Sequence, residues 1–292
     1  MKTIVVVTLI AVVVLAVVTF RLNRPQLNRI DAAVPEDFPS EGFSHQLFED
    51  LLKTYVDAAG EVDYDAWHES QDDERRLNEY LATVSLYSPE NAPERFNTRN
   101  DALAYWLYAY NAYVIRSVLD HWPLNSVTDV KAPVEVVKGF GFFYRQRYLF
   151  GGTAYSLYAV ENAKVRAEFR DARIHFVLNC GSESCPVLRP ELPTGDALED
   201  LLQQASVEFV SDERNVYIDR ANKRIVLSRI FKWFEKDFIR DLQKRGLPSE
   251  NGVVSYVASV SNEEQRKELQ RASDFDVVFS DYDWSVNKTE TR

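Results

Sequence analysis

Residues 101–122 read DALAYWLYAYNAYVIRSVLDHW. From Ala102 to Ile115 this run carries no charged side chain, and Asn111 is its sole amide. A helix that is apolar nearly all round cannot lie on a surface, so it belongs in the middle of a core. Asn100 is placed to cap it. The amide of Asn111 must find partners there, because an unpaired buried polar group costs about 1–3 kcal/mol. Asn111 therefore reads either as an orienting group in a site or as a clamp on a neighbouring loop. Trp106 reads as core.

Working outward, helices and short strands mix without regular strand–helix–strand spacing. Ser44 precedes a helical stripe of Leu47, Leu51, Tyr55 and Val56 that stops before Gly60, and Val62–Tyr64 is a short extended piece. Residues 71–86 carry Leu77, Leu81 and Val84 on one face. Beyond the central helix, Arg145–Phe150 alternates and ends at Gly151-Gly152, a strand and turn. Ser156 caps a helix over Leu157–Phe169, Ile174–Leu178 reads as a strand, and residues 196–210 read as a helix. Residues 216–218 and 224–227 form a hairpin, Ser228 caps a helix over 229–244, and 253–272 hold two short helices. Residues 277–279 are a last strand. The pattern predicts an α+β fold, a single mixed helix/strand domain over 44–287 with a tail at 288–292.

Before that domain, residues 4–20 read IVVVTLIAVVVLAVVTF. At about 1.5 Å per residue this run rises roughly 25 Å, the short end for a bilayer core of about 30 Å. No Ala-x-Ala site follows it, which favours an uncleaved anchor over a cleaved signal peptide. The expectation is an N-terminal transmembrane helix or signal segment over 1–21, a Pro25/Pro35/Pro39 linker over 22–43, and membrane partnership through residues 4–20. Arg21, Arg24 and Arg29 on the C-terminal side argue for a cytoplasmic domain, but long domains translocate largely regardless of charge. The extracytoplasmic (periplasmic) side is the expected location. Thirty-four basic against 45 acidic residues give a formal net charge of -11. That balance argues against nucleic acid as a partner, since non-specific binding needs a basic surface to displace counterions.

The least ordinary segment is IHFVLNCGSESCP, residues 174–186, with Cys180 and Cys185. One reading makes Cys180 a thiol nucleophile with His175 as its base. On an extended strand, residues five apart lie roughly 16 Å from one another and face opposite sides. The pair therefore meets only if the chain turns, and His45, His68 and His121 are the other imidazoles. A second reading is a structural Cys180–Cys185 disulfide, and a third is an inert buried pair. A metal held by His175, Cys180 and Cys185 lacks a fourth ligand at usual spacing, so no metal and no cofactor is expected. Glu161 completes the set of site candidates, as an acid/base group or as the ion-pair partner of an arginine.

These segments together resemble the DUF547 family, a domain of unknown function. The likeness runs through Gly60-Glu61-Val62-Asp63-Tyr64, Trp106–Ala112, Gly151–Leu157 with Glu161 after it, and His175–Pro186. It goes on through Leu227–Phe234 and Tyr282–Asn287, spanning about residues 50–287. The resemblance implies no agreed activity. It implies that bacterial relatives are often exported or anchored. Plant relatives tend to have serine where Cys185 stands while keeping a cysteine at Cys180, which gives weight to Cys180 itself. Relatives commonly show Glu-His where this chain has Glu161-Asn162, so a mechanism needing that imidazole loses ground. Two readings of function follow: a binding or accessory module, and a thiol-dependent hydrolase or acyl transferase using Cys180, with Asn111 and Glu161 as orienting groups.

Overall fold

Thr98, not Asn100, starts the central helix. Its hydroxyl accepts from the Asp101 N–H, and the Asp101 carboxylate accepts from the Thr98 N–H in return, a reciprocal cap. The structure is a computed structural model that describes residues 16–290. The helix α4 (Arg99–Leu119) follows α1 (Gln46–Tyr55), α2 (Tyr64–Glu69) and α3 (Gln71–Leu86). Nearly every side chain of α4 is buried, as a helix apolar all round requires. Its tyrosines resolve the cost of burying hydroxyls by pinning neighbouring chain. Tyr105 donates to Val84 O at 3.0 Å, Tyr113 to Leu149 O at 2.7 Å and Tyr108 to Pro193 O at 2.6 Å.

Two three-stranded sheets flank the helices among the described residues. In the first, β1 (Gln26–Leu27) pairs parallel with β2 (Gln146–Phe150), which turns through Gly151-Gly152 into antiparallel β3 (Thr153–Tyr155). In the second, β4 (Val216–Asp219) and β5 (Arg224–Leu227) form the expected hairpin. β6 (Asp276–Phe279) adds in parallel to β5. The remaining helices are α5 (Ala197–Ser211), α6 (Arg229–Trp233), α7 (Glu235–Lys244), α8 (Val253–Val260) and α9 (Glu263–Arg271). The α+β composition stands.

The membrane helix does not. Among the described residues no helix is long and apolar enough to cross a membrane, which overturns the expected transmembrane anchor and the membrane-anchored, extracytoplasmic placement built on it. Residues 4–15 of the expected span lie outside the described residues. Of that run, the described residues hold only its end, helical over residues 16–22. It ends at Asn23, whose side chain exchanges hydrogen bonds with both backbone groups of Val134. The proline-bearing stretch after it is tied down as well. Gln26–Leu27 joins a sheet, Asn28 donates to Gln146 Oε1 at 2.7 Å, and Arg95 donates to Pro39 O and Gly42 O.

Three further departures position the site. The stretch read as a strand, Ile174–Leu178, is instead the end of a 3₁₀ turn, Ala172–Phe176, capped by Asp171. The helix after Ser156 is π-helical over Val160–Arg166, between α-helical turns at Leu157–Ala159 and Ala167–Phe169. The helix after Ser228 breaks at Phe234 into α6 and α7.

Candidate functional site

A cavity of about 520 Å³ opens where these departures meet. A second π-helical segment, Phe140–Arg145, supplies Phe143 and Tyr144. Its tight path depends on Gly141, where a Cβ would collide with Val130 O. The first π segment supplies Glu161, Asn162 and Arg166, with Tyr158 just before it. The break between α6 and α7 turns both Trp233 and Phe234 into the lining, and the C-terminal strap brings Tyr282 and Trp284. Tyr110 reaches it from α4. The aromatic rings brace one another: Tyr144 stacks on Tyr158 with centroids 4.3 Å apart, and Tyr282 lies 4.6 Å from Trp284 and 4.7 Å from Trp233.

His175 and Cys180 line the same cavity, contrary to the strand argument, because the 3₁₀ turn shortens and rotates the path between them. They do not touch each other through a hydrogen bond. The buried His175 ring lies flat on Phe234 at 3.8 Å, and its Nε2 donates to Asp237 Oδ2 at 3.0 Å. Burial pushes the imidazole pKa down, and the Asp237 carboxylate offsets only part of that. Asp237 also accepts from Arg166 Nε at 2.7 Å. Burial pushes its carboxyl up, but the bonds from His175 and Arg166 outweigh this and hold it well below the usual carboxylate range. The other histidines lie elsewhere. His45 is buried against Tyr80, with its pKa lowered to about 3 by burial, and His68 pairs with Glu74. His121 bonds the Ser117 carbonyl.

Cys180 and Cys185 are joined in a disulfide that forms part of the wall. The Cys180 N–H points at Cys185 Sγ at 2.9 Å, the Ser182 hydroxyl lies 2.9 Å from Cys180 Sγ, and the Tyr282 hydroxyl lies 3.2 Å from each sulfur. Gly181 between them takes φ +79°, a backbone region that favours glycine, and Val114 and Val127 close over it. The strap holds this loop through Glu183 N–H to Ser285 O and Ser184 N–H to Asp283 O. The burial of Tyr282 here raises its phenol pKa.

Asn111 is not in the cavity. One residue past Tyr110, about 100° round the helix, its side chain donates to Val177 O at 3.1 Å and accepts from the Asn179 N–H at 2.9 Å. It clamps the loop that carries Cys180 rather than facing any reacting group. Trp106 is buried core.

Glu161 lines the cavity, and among the described residues its carboxylate has no hydrogen bond and no ion pair. Arg166, the arginine expected to pair with it, is engaged instead by Asp237 and by Asn162 Oδ1. Burial raises the Glu161 pKa to about 7; Arg166 draws it down and Asp237 pushes it up. Asp237 is the site residue that sequence reasoning missed. Its signal was its place three residues after Phe234 and one before Phe238, on the apolar side of α7, where a carboxylate needs a partner.

A family model described as "Protein of unknown function, DUF547" matches residues 93–210. The chain resembles the DUF547 family. The DUF547 match takes in α4, both π segments, the disulfide loop and all but the last residue of α5, and so contains Tyr110, Glu161, Arg166, His175 and Cys180. Trp233, Phe234 and the Tyr282 strap, which complete the cavity, lie outside it, as does Asp237, which stands behind the lining and holds His175 and Arg166. No curated protein and no solved structure matched the chain.

Proposed function

We propose that this DUF547-like protein is a binding module for a small molecule, which occupies the aromatic cavity beside Glu161. One observation carries the reading. A cavity of about 520 Å³ is walled by aromatic rings and has a few convergent polar groups at Glu161, Arg166 and His175. Ligand sites fall in the range of about 300–1,000 Å³, with apolar walls and a small number of placed polar groups. The disulfide acts as a staple in one wall. Ligand-observed NMR with neutral aromatic fragments tests the reading. Fragments that bind the wild type and lose binding in Trp233→Ala support it; fragments that bind both proteins alike sink it.

A second reading has its own observation: both sulfurs face the same cavity as Glu161 and His175. A thiol-dependent hydrolase or acyl transferase would use Cys180 after reduction, since the disulfide holds no thiolate to attack. Asp237 holds the Nε2–H of His175, so Nδ1 is the nitrogen left to accept a proton, and no hydrogen bond joins that ring to Cys180. Iodoacetamide alkylation of the reduced protein at neutral pH decides this. Cys180 reacting no faster than a surface thiol ends the thiol reading.

A further inference from the structure

We propose that the ligand carries a protonated primary or secondary amine on an apolar body, and that the amine docks on the Glu161 carboxylate. This rests on the reading of the cavity as a binding site.

A carboxylate in a partly desolvated wall needs either a counter-charge or several hydrogen bonds. Glu161 has neither among the described residues, although a guanidinium lies only five residues away. That guanidinium is committed. Its Nε bonds Asp237 at 2.7 Å, its Nη1 bonds Asn162, and its plane sits 4.7 Å from the Phe234 ring centre. His175 is equally committed to Asp237. The protein thus gives Asp237 three partners, with Arg240 at 3.3 Å as the third, and leaves Glu161 to be satisfied from the cavity.

The walls select the sign of what comes. Aromatic faces carry negative quadrupole density, which attracts cations and repels anions. Tyr110, Tyr158, Trp233 and Tyr282 line the space together with Glu161. The one other cation of the lining, Lys138, is exposed, and its ammonium sits 5.3 Å over the Trp284 ring. This wall therefore already receives an ammonium on an indole. A carboxylate ligand would meet Glu161 and the aromatic faces unfavourably, and a neutral ligand, even one that donates a hydrogen bond, would leave the Glu161 charge uncompensated. An N–H-bearing ammonium, rather than a quaternary one, also gives the carboxylate charge-assisted hydrogen bonds.

Calorimetric titration of the full chain at pH 8 with 2-phenylethylammonium, 2-phenylethanol and 3-phenylpropanoate tests this. The expected result is that the ammonium binds about tenfold or more tighter than the alcohol, as a charge-assisted bond implies, with the carboxylate weakest. In Glu161→Gln the ratio of ammonium to alcohol affinity falls to about one. The alcohol binding with no preference for the ammonium, or a preference that survives in Glu161→Gln, overturns the inference and leaves the binding-site reading standing. Failure of both ammonium and alcohol to bind overturns the two together.

Discussion

Replacing Glu161 by Gln should stabilise the protein above about pH 4.5, and in full above about pH 7. Glutamine keeps the shape of the side chain and removes the charge that the cavity wall leaves unpaired. Burial raises the carboxyl from its ordinary 4.5 to about 7, against the pull of Arg166. The sign follows from proton counts. Below about pH 4.5 both folded and unfolded chains hold the proton, and the group costs nothing. Between 4.5 and 7 the unfolded chain has released it while the folded chain retains it, so stability falls as pH rises. Above 7 the cost is complete. A tenfold change in acid strength is about 1.4 kcal/mol, which sets an upper limit of about 3.5 kcal/mol. Glu161 reaches water through the cavity mouth, and screening lowers this to about 1–2 kcal/mol. Urea unfolding of wild type and Glu161→Gln at pH 4 and pH 8.5 reads the difference directly. Other titrating groups cancel because both proteins share them. The variant should match wild type at pH 4 and exceed it by about 1–2 kcal/mol at pH 8.5. An equal difference at both pH values, or a less stable variant at pH 8.5, would refute the reasoning.

Asn111→Ala removes both bonds to the disulfide loop and leaves Val177 O and the Asn179 N–H buried without partners. A loss of about 2–4 kcal/mol is expected in urea unfolding, and a change under about 0.5 kcal/mol would show that the clamp is not one. Reducing the Cys180–Cys185 bond, or replacing both cysteines by serine, frees a loop with a sequence separation of 5. By loop-closure entropy this costs about 2 kcal/mol, so the reduced protein should still fold, with a lower urea midpoint. Asp237 has its acid strength increased by His175 and Arg166, so its stabilising contribution is present above the ordinary carboxylate pKa and lost as pH falls through its depressed folded value. Acidification from pH 5 to pH 2 should therefore cost the wild type more stability than Asp237→Asn, as followed by circular dichroism.

The central helix was legible because its signal is global: no charged residue from Ala102 to Ile115 leaves burial as the single solution. Its cap was displaced by two residues because Thr98 and Asn100 are both good caps, and the reciprocal bond to Asp101 decides between them. The hairpin and the strand ending at Gly151-Gly152 were legible from alternation and turn residues. The segment at 174–178 was not. A short apolar run fits a strand or a buried turn equally, and here the Asp171 cap winds it into a 3₁₀ turn. The apolar run at residues 4–20 matched the composition of a membrane span. Only its end lies in the described residues, and that end lines a groove together with Val136 and Phe140. Of the site candidates, Cys180, His175 and Glu161 share one cavity, while Asn111 stands behind its wall. Asp237 escaped notice because its partners, His175 and Arg166, are 62 and 71 residues away in the chain and meet it only through the fold.

The π-helical turn at Val160–Arg166 explains how one short segment arms the cavity. In an α-helix, residues five apart differ by about 140° in direction, so Glu161 and Arg166 would face different neighbours. In a π-helix the bonding step is itself five residues, so the two come to lie nearly above one another, both on the cavity wall. Side by side, a carboxylate and a guanidinium would ordinarily pair and cancel. Here Asp237, from a helix outside the DUF547 match, takes the guanidinium. The wider turn is less well bonded than an α-turn, and Glu161 is left with an unfavourable ionisation, so the chain carries two local costs in seven residues. Neither is needed to form the core, which α4 supplies. Local costs that the fold does not require gather where a ligand is to be met, which is the ground for proposing Glu161, rather than the disulfide, as the centre of the candidate site.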